Sequence, residues 1–162
     1  SCSKLTCFKG WKRAANQIQN VDLSRRVLAW GQENYALAGL DAPDTDFLYG
    51  DVFDWLRRLQ RRGDRFDLIV LDPPSFARRG RQTWRAERDY AGLVGGAVPL
   101  LTPGGSLLTM TNHAGLAGAQ FRRMVGEGFG AAGCGGALVQ SLAPGPNFPG
   151  AAHLKADIWR LS

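Results

Sequence analysis

Asp72, Pro73 and Pro74 stand directly after the apolar run Phe66-Asp67-Leu68-Ile69-Val70-Leu71 and precede Ser75 and Phe76. A strand this apolar is a central one, buried on both faces, and it delivers the residues after it to the carboxyl edge of a sheet, where open α/β folds bind ligands. Two prolines fix the backbone and remove two amide donors, so the turn offers a carboxylate and carbonyl oxygens and nothing that donates. Such a cluster can hold the amino group or ring edge of a nucleobase, aim its lone pair at an electrophile and stabilise the positive charge that develops as a methyl group arrives. Phe76, or Trp84 further along, can stack on a base taken out of its helix. Asn112, in Thr111-Asn112-His113, ends a later strand at the same cleft with a donor and an acceptor for base recognition. His113 has no carboxylate near it in sequence and reads as a solvated loop histidine rather than a general base.

Two further carboxylates come after strands. Asp22 precedes a helix that Ser24 can cap, a place where a carboxylate accepts both hydroxyls of an adenosine ribose or simply supports the cap. In Gly50-Asp51-Val52-Phe53, Asp51 can accept from the exocyclic amine of adenine while an apolar neighbour packs on the ring, or it can cap the next helix. Together the two describe a nucleoside slot better than either does singly.

The elements that must position these residues alternate between strand and helix, the pattern of βαβ units in a mostly parallel sheet covered on both faces. Ser24 starts a helix from Arg25 to about Ala38, with Gly39 as its stop. Thr45 to Tyr49 reads as a strand, and Val52, Phe53, Leu56 and Leu59 share a helical face that Gly63 ends. Tyr90, Leu93, Val94, Ala97 and Leu101 suggest a third helix that Gly95, Gly96 and Pro99 weaken. Pro103-Gly104-Gly105 turns the chain into a strand from Ser106 to Thr111. Phe121, Met124, Val125 and Phe129 mark a last helix ending near Gly133. Ala137 to Leu142 and Leu154 to Leu161 form an antiparallel closing pair.

With 162 residues, 44% of them hydrophobic and 21% charged, the chain describes one globular domain and excludes disorder. No apolar stretch is long enough for a membrane span, and no signal segment is visible. Three cysteines and two histidines without metal-ligand spacing indicate neither a disulfide framework nor a metal site, and suit a reducing cytoplasm. A net charge of +6 with a pI near 9.7 fits a polyanion such as RNA, although the preponderance of arginine over lysine could also reflect genomic base composition. Arg57, Arg58, Arg61, Arg62 and Arg65 read as a solvated helix face. Arg78, Arg79, Arg81, Arg85 and Arg88 come after the Asp-Pro-Pro turn, where Arg79 and Arg81 can hold phosphates beside Trp84.

Val21-Asp22-Leu23-Ser24, Gly50-Asp51-Val52-Phe53, the run from Phe66 to Phe76 and Thr109-Met110-Thr111-Asn112-His113 together resemble the bacterial large-subunit ribosomal RNA methyltransferases. The resemblance implies an α/β Rossmann-like class I methyltransferase fold, with a mostly parallel central sheet, helices on both faces and a C-terminal antiparallel hairpin. It implies S-adenosyl-L-methionine as cofactor and ribosomal RNA as acceptor, with a cytoplasmic location. Asp22 with Leu23 then binds the cofactor ribose, Asp51 with Val52 the adenine, and Asp72, Pro73, Pro74 and Asn112 the junction of methyl donor and base, beside Phe76, Arg79, Arg81 and Trp84. The 5-methylcytosine branch has a nucleophilic cysteine where Asn112 stands, so the 7-methylguanine branch, with asparagine and direct displacement, is the better match. The alternatives are a non-catalytic RNA-binding module on the same fold and a methyltransferase for small molecules or proteins.

Residues 1–20 depart from this pattern. They hold Lys4, Lys9 and Lys12 but only Arg13, and before Val21 only Gly10 could serve a glycine turn. They read as an atypical or truncated version of the first βα unit, with 21–162 as the methyltransferase domain, and the chain as a catalytic fragment without the family's N-terminal RNA-binding domain. The oligomeric state stays open, a dimer included.

Overall fold

A computed structural model describes residues 4–9, 17–41, 43–79, 82–144 and 153–162. In chain order the elements are β1 (Lys4–Lys9), β2 (Gln17–Asp22), α1 (Arg25–Leu37), β3 (Phe47–Tyr49), α2 (Val52–Arg62), β4 (Phe66–Asp72), β5 (Phe76–Arg79), β6 (Gln82–Arg85), α3 (Ala86–Ala97), β7 (Leu101–Thr111), α4 (Gly118–Ala131), β8 (Gly136–Leu142) and β9 (Lys155–Leu161). One sheet runs β3-β2-β1-β4-β7-β9-β8, and β5 with β6 forms a separate hairpin.

The β2–β3 and β4–β7 pairs are parallel, while β9 is antiparallel to both β7 and β8. The expected closing pair is therefore present. β1 lies between β2 and β4 and is antiparallel to both, with Leu5 opposite Val21 on one side and Leu71 on the other. Its direction departs from the parallel ladder that alternating βαβ units would build.

Local signals fix the helix ends. Ser24 Oγ accepts from the Val27 amide at 3.3 Å to start α1, and Asp51 caps α2. Gly39, Gly63 and Gly133 take positive φ just past three helix ends, as their positions in sequence predicted. Despite Gly95 and Gly96, α3 forms. Its start is held by the Asp89 carboxylate, which accepts from the Arg85 amide at 2.8 Å and which the Arg88 guanidinium keeps below the usual carboxylate range. A 3-10 turn at Val98–Leu100 accommodates Pro99. β7 begins earlier than expected and runs through Pro103-Gly104-Gly105, with a register irregularity against β4 between Phe66 and Leu68. The strand expected from Thr45 contracts to β3 behind a 3-10 turn at Asp44–Asp46.

The core joins Leu56 and Leu59 of α2, Tyr90 and Leu93 of α3, and Phe121 and Phe129 of α4 to Ile69, Leu71 and Leu107 of the sheet. These three helices cover one face. The other face is covered less evenly: along β4, Ile69 and Leu71 are buried while Leu68 and Val70 are only half-buried. The expectation of a central strand buried on both faces is corrected accordingly: α1 packs against β2 and β3, and the Leu68 and Val70 face of β4 is only half covered. Among the described residues no helix is long and apolar enough to cross a membrane.

Candidate functional site

The carboxyl ends of β4 and β7 lie side by side, with Leu71 opposite Thr109. They deliver Asp72 and Asn112 to one cleft of about 350 Å³, whose walls include Met110, Leu142, Leu154 and Lys155. Ser75 Oγ donates to Asn112 Oδ1 at 2.6 Å, which engages the amide oxygen and leaves the NH2 group as a donor pair. Pro73 is buried and Asp72 exposed, so the turn is anchored while its carboxylate reaches solvent. Of the acceptor residues expected from sequence, Asp72 and Asn112 thus line one cleft, while Pro73 is buried next to Asp72.

Pro74 and Trp84 require a correction. The Trp84 indole N–H donates to the Pro74 carbonyl at 2.8 Å, and the ring packs against Phe53 with centroids 6.1 Å apart. One lone pair of Pro74's oxygen is therefore engaged, and Trp84 braces the turn. Phe76 is the available aromatic: it is 53% exposed, with the Arg85 guanidinium 5.9 Å from its ring centroid. Both belong to the β5–β6 hairpin, which sequence reading missed because two four-residue strands with mixed polarity carry little periodic signal. Arg79 pairs through its backbone with Gln82, and Arg81 lies outside the described residues.

At the other end of the site, β2 and β3 are paired with Asp22 opposite Tyr49, and the Gly50 amide donates to the Asp22 carbonyl at 3.0 Å. This places Asp22 and Asp51 on neighbouring strand ends. Gly50 has φ +148°, and a Cβ there would lie 2.9 Å from Trp55 Nε1, so the bend before Asp51 requires glycine. Asp51 Oδ1 accepts from the Phe53 amide at 2.9 Å, the capping role weighed from sequence. Asp22 is 2% exposed, accepts from the Ser24 amide at 2.7 Å and borders a second cavity of about 290 Å³ beneath α1. Leu23 is half-buried beside it. Val52 is 3% exposed and packed in the core, so it presents no surface to an adenine ring, contrary to expectation.

His113 is not a solvated loop residue. Its Nε2 lies 2.6 Å from Glu87 Oε1 in the first turn of α3, and its carbonyl accepts from Lys155 Nζ at 3.1 Å. The carboxylate absent near it in sequence arrives from the fold, 26 positions away in the chain. Tyr90 was legible only as an apolar position of α3. Its hydroxyl reaches the backbone of both β4 and β7. On α2, Arg57 pairs with Asp54, Arg62 with Asp64 and Arg58 lies over Trp55, as a solvated basic face should.

A sequence model of the S-adenosylmethionine-dependent methyltransferases matches residues 6–160. The chain belongs to this family. It is 37% identical over 138 residues to ribosomal RNA large subunit methyltransferase I of Aeromonas hydrophila, covering 85% of this chain and 35% of that protein. It is 33% identical over 100 residues to ribosomal RNA large subunit methyltransferase K/L of Shewanella frigidimarina, covering 60% of this chain and 14% of that protein. The crystal structure of SMU.776 complexed with SAH superposes with a TM-score of 0.75 at 25% identity, over 86% of this chain and 38% of that one. The chain thus spans about a third of the length of the curated relative it matches over 138 residues.

The acceptors present fit the adenosine end of the family's cofactor, since the carboxylates of Asp22 and Asp51 stand at two adjacent strand ends beside a glycine bend. The methionine end has no such counterpart: β1 enters antiparallel, with Lys4 opposite Asp72, and no glycine-rich turn lies there among the described residues.

Proposed function

We propose that this chain is the catalytic part of an enzyme that methylates a base of large-subunit ribosomal RNA by direct displacement. The observation that carries the reading is the meeting of Asp72 and Asn112 in one cleft, which no cysteine lines among the described residues; Cys134 lies beyond α4. The names of the curated relatives support ribosomal RNA as the acceptor, and such an acceptor would place the protein in the cytoplasm.

Bound S-adenosylmethionine would supply an electrophilic methyl group on sulfur, open to a base nitrogen. The chain's own residues hold and orient. Asp51, Asp22 and Leu23 close the nucleoside end. The Asp72 carboxylate and the Pro73 carbonyl accept from the base edge and stabilise the charge it acquires, while the Asn112 NH2 group donates. Phe76, with Arg85 over its ring, stacks on the base, and Arg79 and Arg81 meet phosphates.

A second reading has two observations in its favour, the antiparallel β1 and the buried Asp22. On it, residues 1–20 are an atypical segment and the fold serves as a non-catalytic RNA-binding module. Thermal unfolding with and without S-adenosylhomocysteine separates the two. At a hundredfold its dissociation constant the ligand adds about 2.7 kcal/mol, and the catalytic reading expects a rise of about 5–10 °C. A flat response would leave a defective fragment of an enzyme or the binding module.

Asp51 has both a capping and a proposed ligand role, and Asp51→Ser divides them. Serine is as good a cap, so the unliganded unfolding temperature should hold. Loss of a charged hydrogen bond should weaken S-adenosylhomocysteine by about 10- to 100-fold, a hydrogen bond to a charged group contributing about 1.5–3 kcal/mol. Unchanged affinity in a binding titration would reduce Asp51 to a cap.

A further inference from the structure

We propose that Tyr90 is a positioning residue that ends the β4–β7 ladder and sets the opening between Asp72 and Asn112. The register Leu71 opposite Thr109, carried one residue further, puts Asp72 opposite Met110. In a parallel ladder the carbonyl of Met110 would then take its bond from the amide of residue 73. Residue 73 is a proline and has none. The Tyr90 hydroxyl stands in that gap. It donates to the Met110 carbonyl at 2.9 Å, accepts from the Met110 amide at 3.0 Å and lies 3.2 Å from the Leu71 carbonyl.

The side chain has one place to be. Tyr90 is fully buried, and its ring meets Phe121 of α4 edge-on with centroids 4.9 Å apart. Burial pushes its phenol well above the ordinary value, so the hydroxyl keeps the proton it donates. An oxygen inserted between two strands holds them farther apart than a direct amide–carbonyl bond does. The strands therefore diverge at this point, and the residues just beyond it, Asp72 on one side and Thr111 and Asn112 on the other, line the cleft. The missing donor of Pro73 and the hydroxyl of Tyr90 are two halves of one device. Its effect on transfer rests on the acceptor-site reading above, whereas its effect on the ladder does not.

Tyr90→Phe removes the hydroxyl and keeps the ring. Hydrogen exchange by NMR should show the Met110 amide exchanging at least tenfold faster relative to the amides of Ile158 and Trp159 in β9. S-adenosylhomocysteine affinity should stay within about twofold. With large-subunit ribosomal RNA as acceptor, kcat should fall at least tenfold while KM moves less than threefold, a split that general loosening would not give. Pro73→Ala restores an amide that can donate to the Met110 carbonyl, so in the Tyr90→Phe background it should recover unfolding temperature, and in the wild-type background it should not raise it. If Tyr90→Phe alone does not fold, the double variant must. Additive thermal effects, a double variant that does not fold, or unchanged Met110 exchange would overturn the proposal. Should Asp72→Ala retain transfer, the acceptor reading fails while the exchange and thermal results still decide the role of Tyr90. If Asp72→Ala is inactive and Tyr90→Phe keeps full kcat, the positioning role fails alone.

Discussion

Asp72→Ala is expected to reduce methyl transfer to ribosomal RNA by about 10²–10³-fold, the loss typical of removing one preorganised electrostatic contact to a transition state. The backbone dictates this. β4 ends at Asp72, the two prolines after it cannot donate, and Asn112 with its oxygen held by Ser75 supplies the complementary NH2 group across the cleft. A base seated there acquires positive charge as it gains a methyl, and among these cleft residues only the carboxylate can offset it. Asp72 is exposed, so truncation should cost about 1 kcal/mol of stability or less. Binding of S-adenosylhomocysteine should be largely kept, because the nucleoside end closes on Asp51 and Asp22. Single-turnover rates with saturating cofactor measure the effect. Full activity in Asp72→Ala would mean that the base is held elsewhere.

What the sequence made legible divides along a physical line. Helix boundaries were readable because Ser24, Asp51, Gly39 and Gly63 act on their own neighbours within a few positions. The Asp72 turn was readable because proline limits the backbone wherever it occurs. Asn112 was placed at the cleft because neighbouring parallel strands end on the same edge of one sheet. Features made by distant partners were not readable. The Glu87–His113 pair, the Trp84 brace on Pro74 and the Tyr90 bridge each join segments whose spacing in sequence carries no period. Val52 fits the same account: its place beside Asp51 suggested an adenine wall, while the rotation of α2 turns it into the core. The direction of β1 was illegible for a different reason, since six residues of strand read the same in either sense.

Gly128→Ala should destabilise the fold by about 2 kcal/mol or more, against an ordinary helix gain of about 1 kcal/mol for replacing glycine by alanine. A Cβ at Gly128 would lie 2.5 Å from Val94 Cβ and 2.7 Å from the Ala91 carbonyl oxygen. The second neighbour is helix backbone and cannot rotate away, so α3 and α4 must separate. A Cβ at Gly95 would come within 3.3 Å of the Gly128 carbonyl, so the glycines that weakened the sequence case for α3 are what let the two helices meet. Separation would also withdraw Tyr90, which Phe121 of α4 supports from behind, from the ends of β4 and β7. Transfer should fall with stability for that reason. Gly126 and Gly130 of the same helix supply the control, because a Cβ at either meets nothing within 4 Å. Alanine at those positions should stabilise by about 0.5–1 kcal/mol. Thermal unfolding of the three variants decides the matter: equal responses would mean that close helix approach plays no part, and only a loss confined to Gly128 agrees with the geometry.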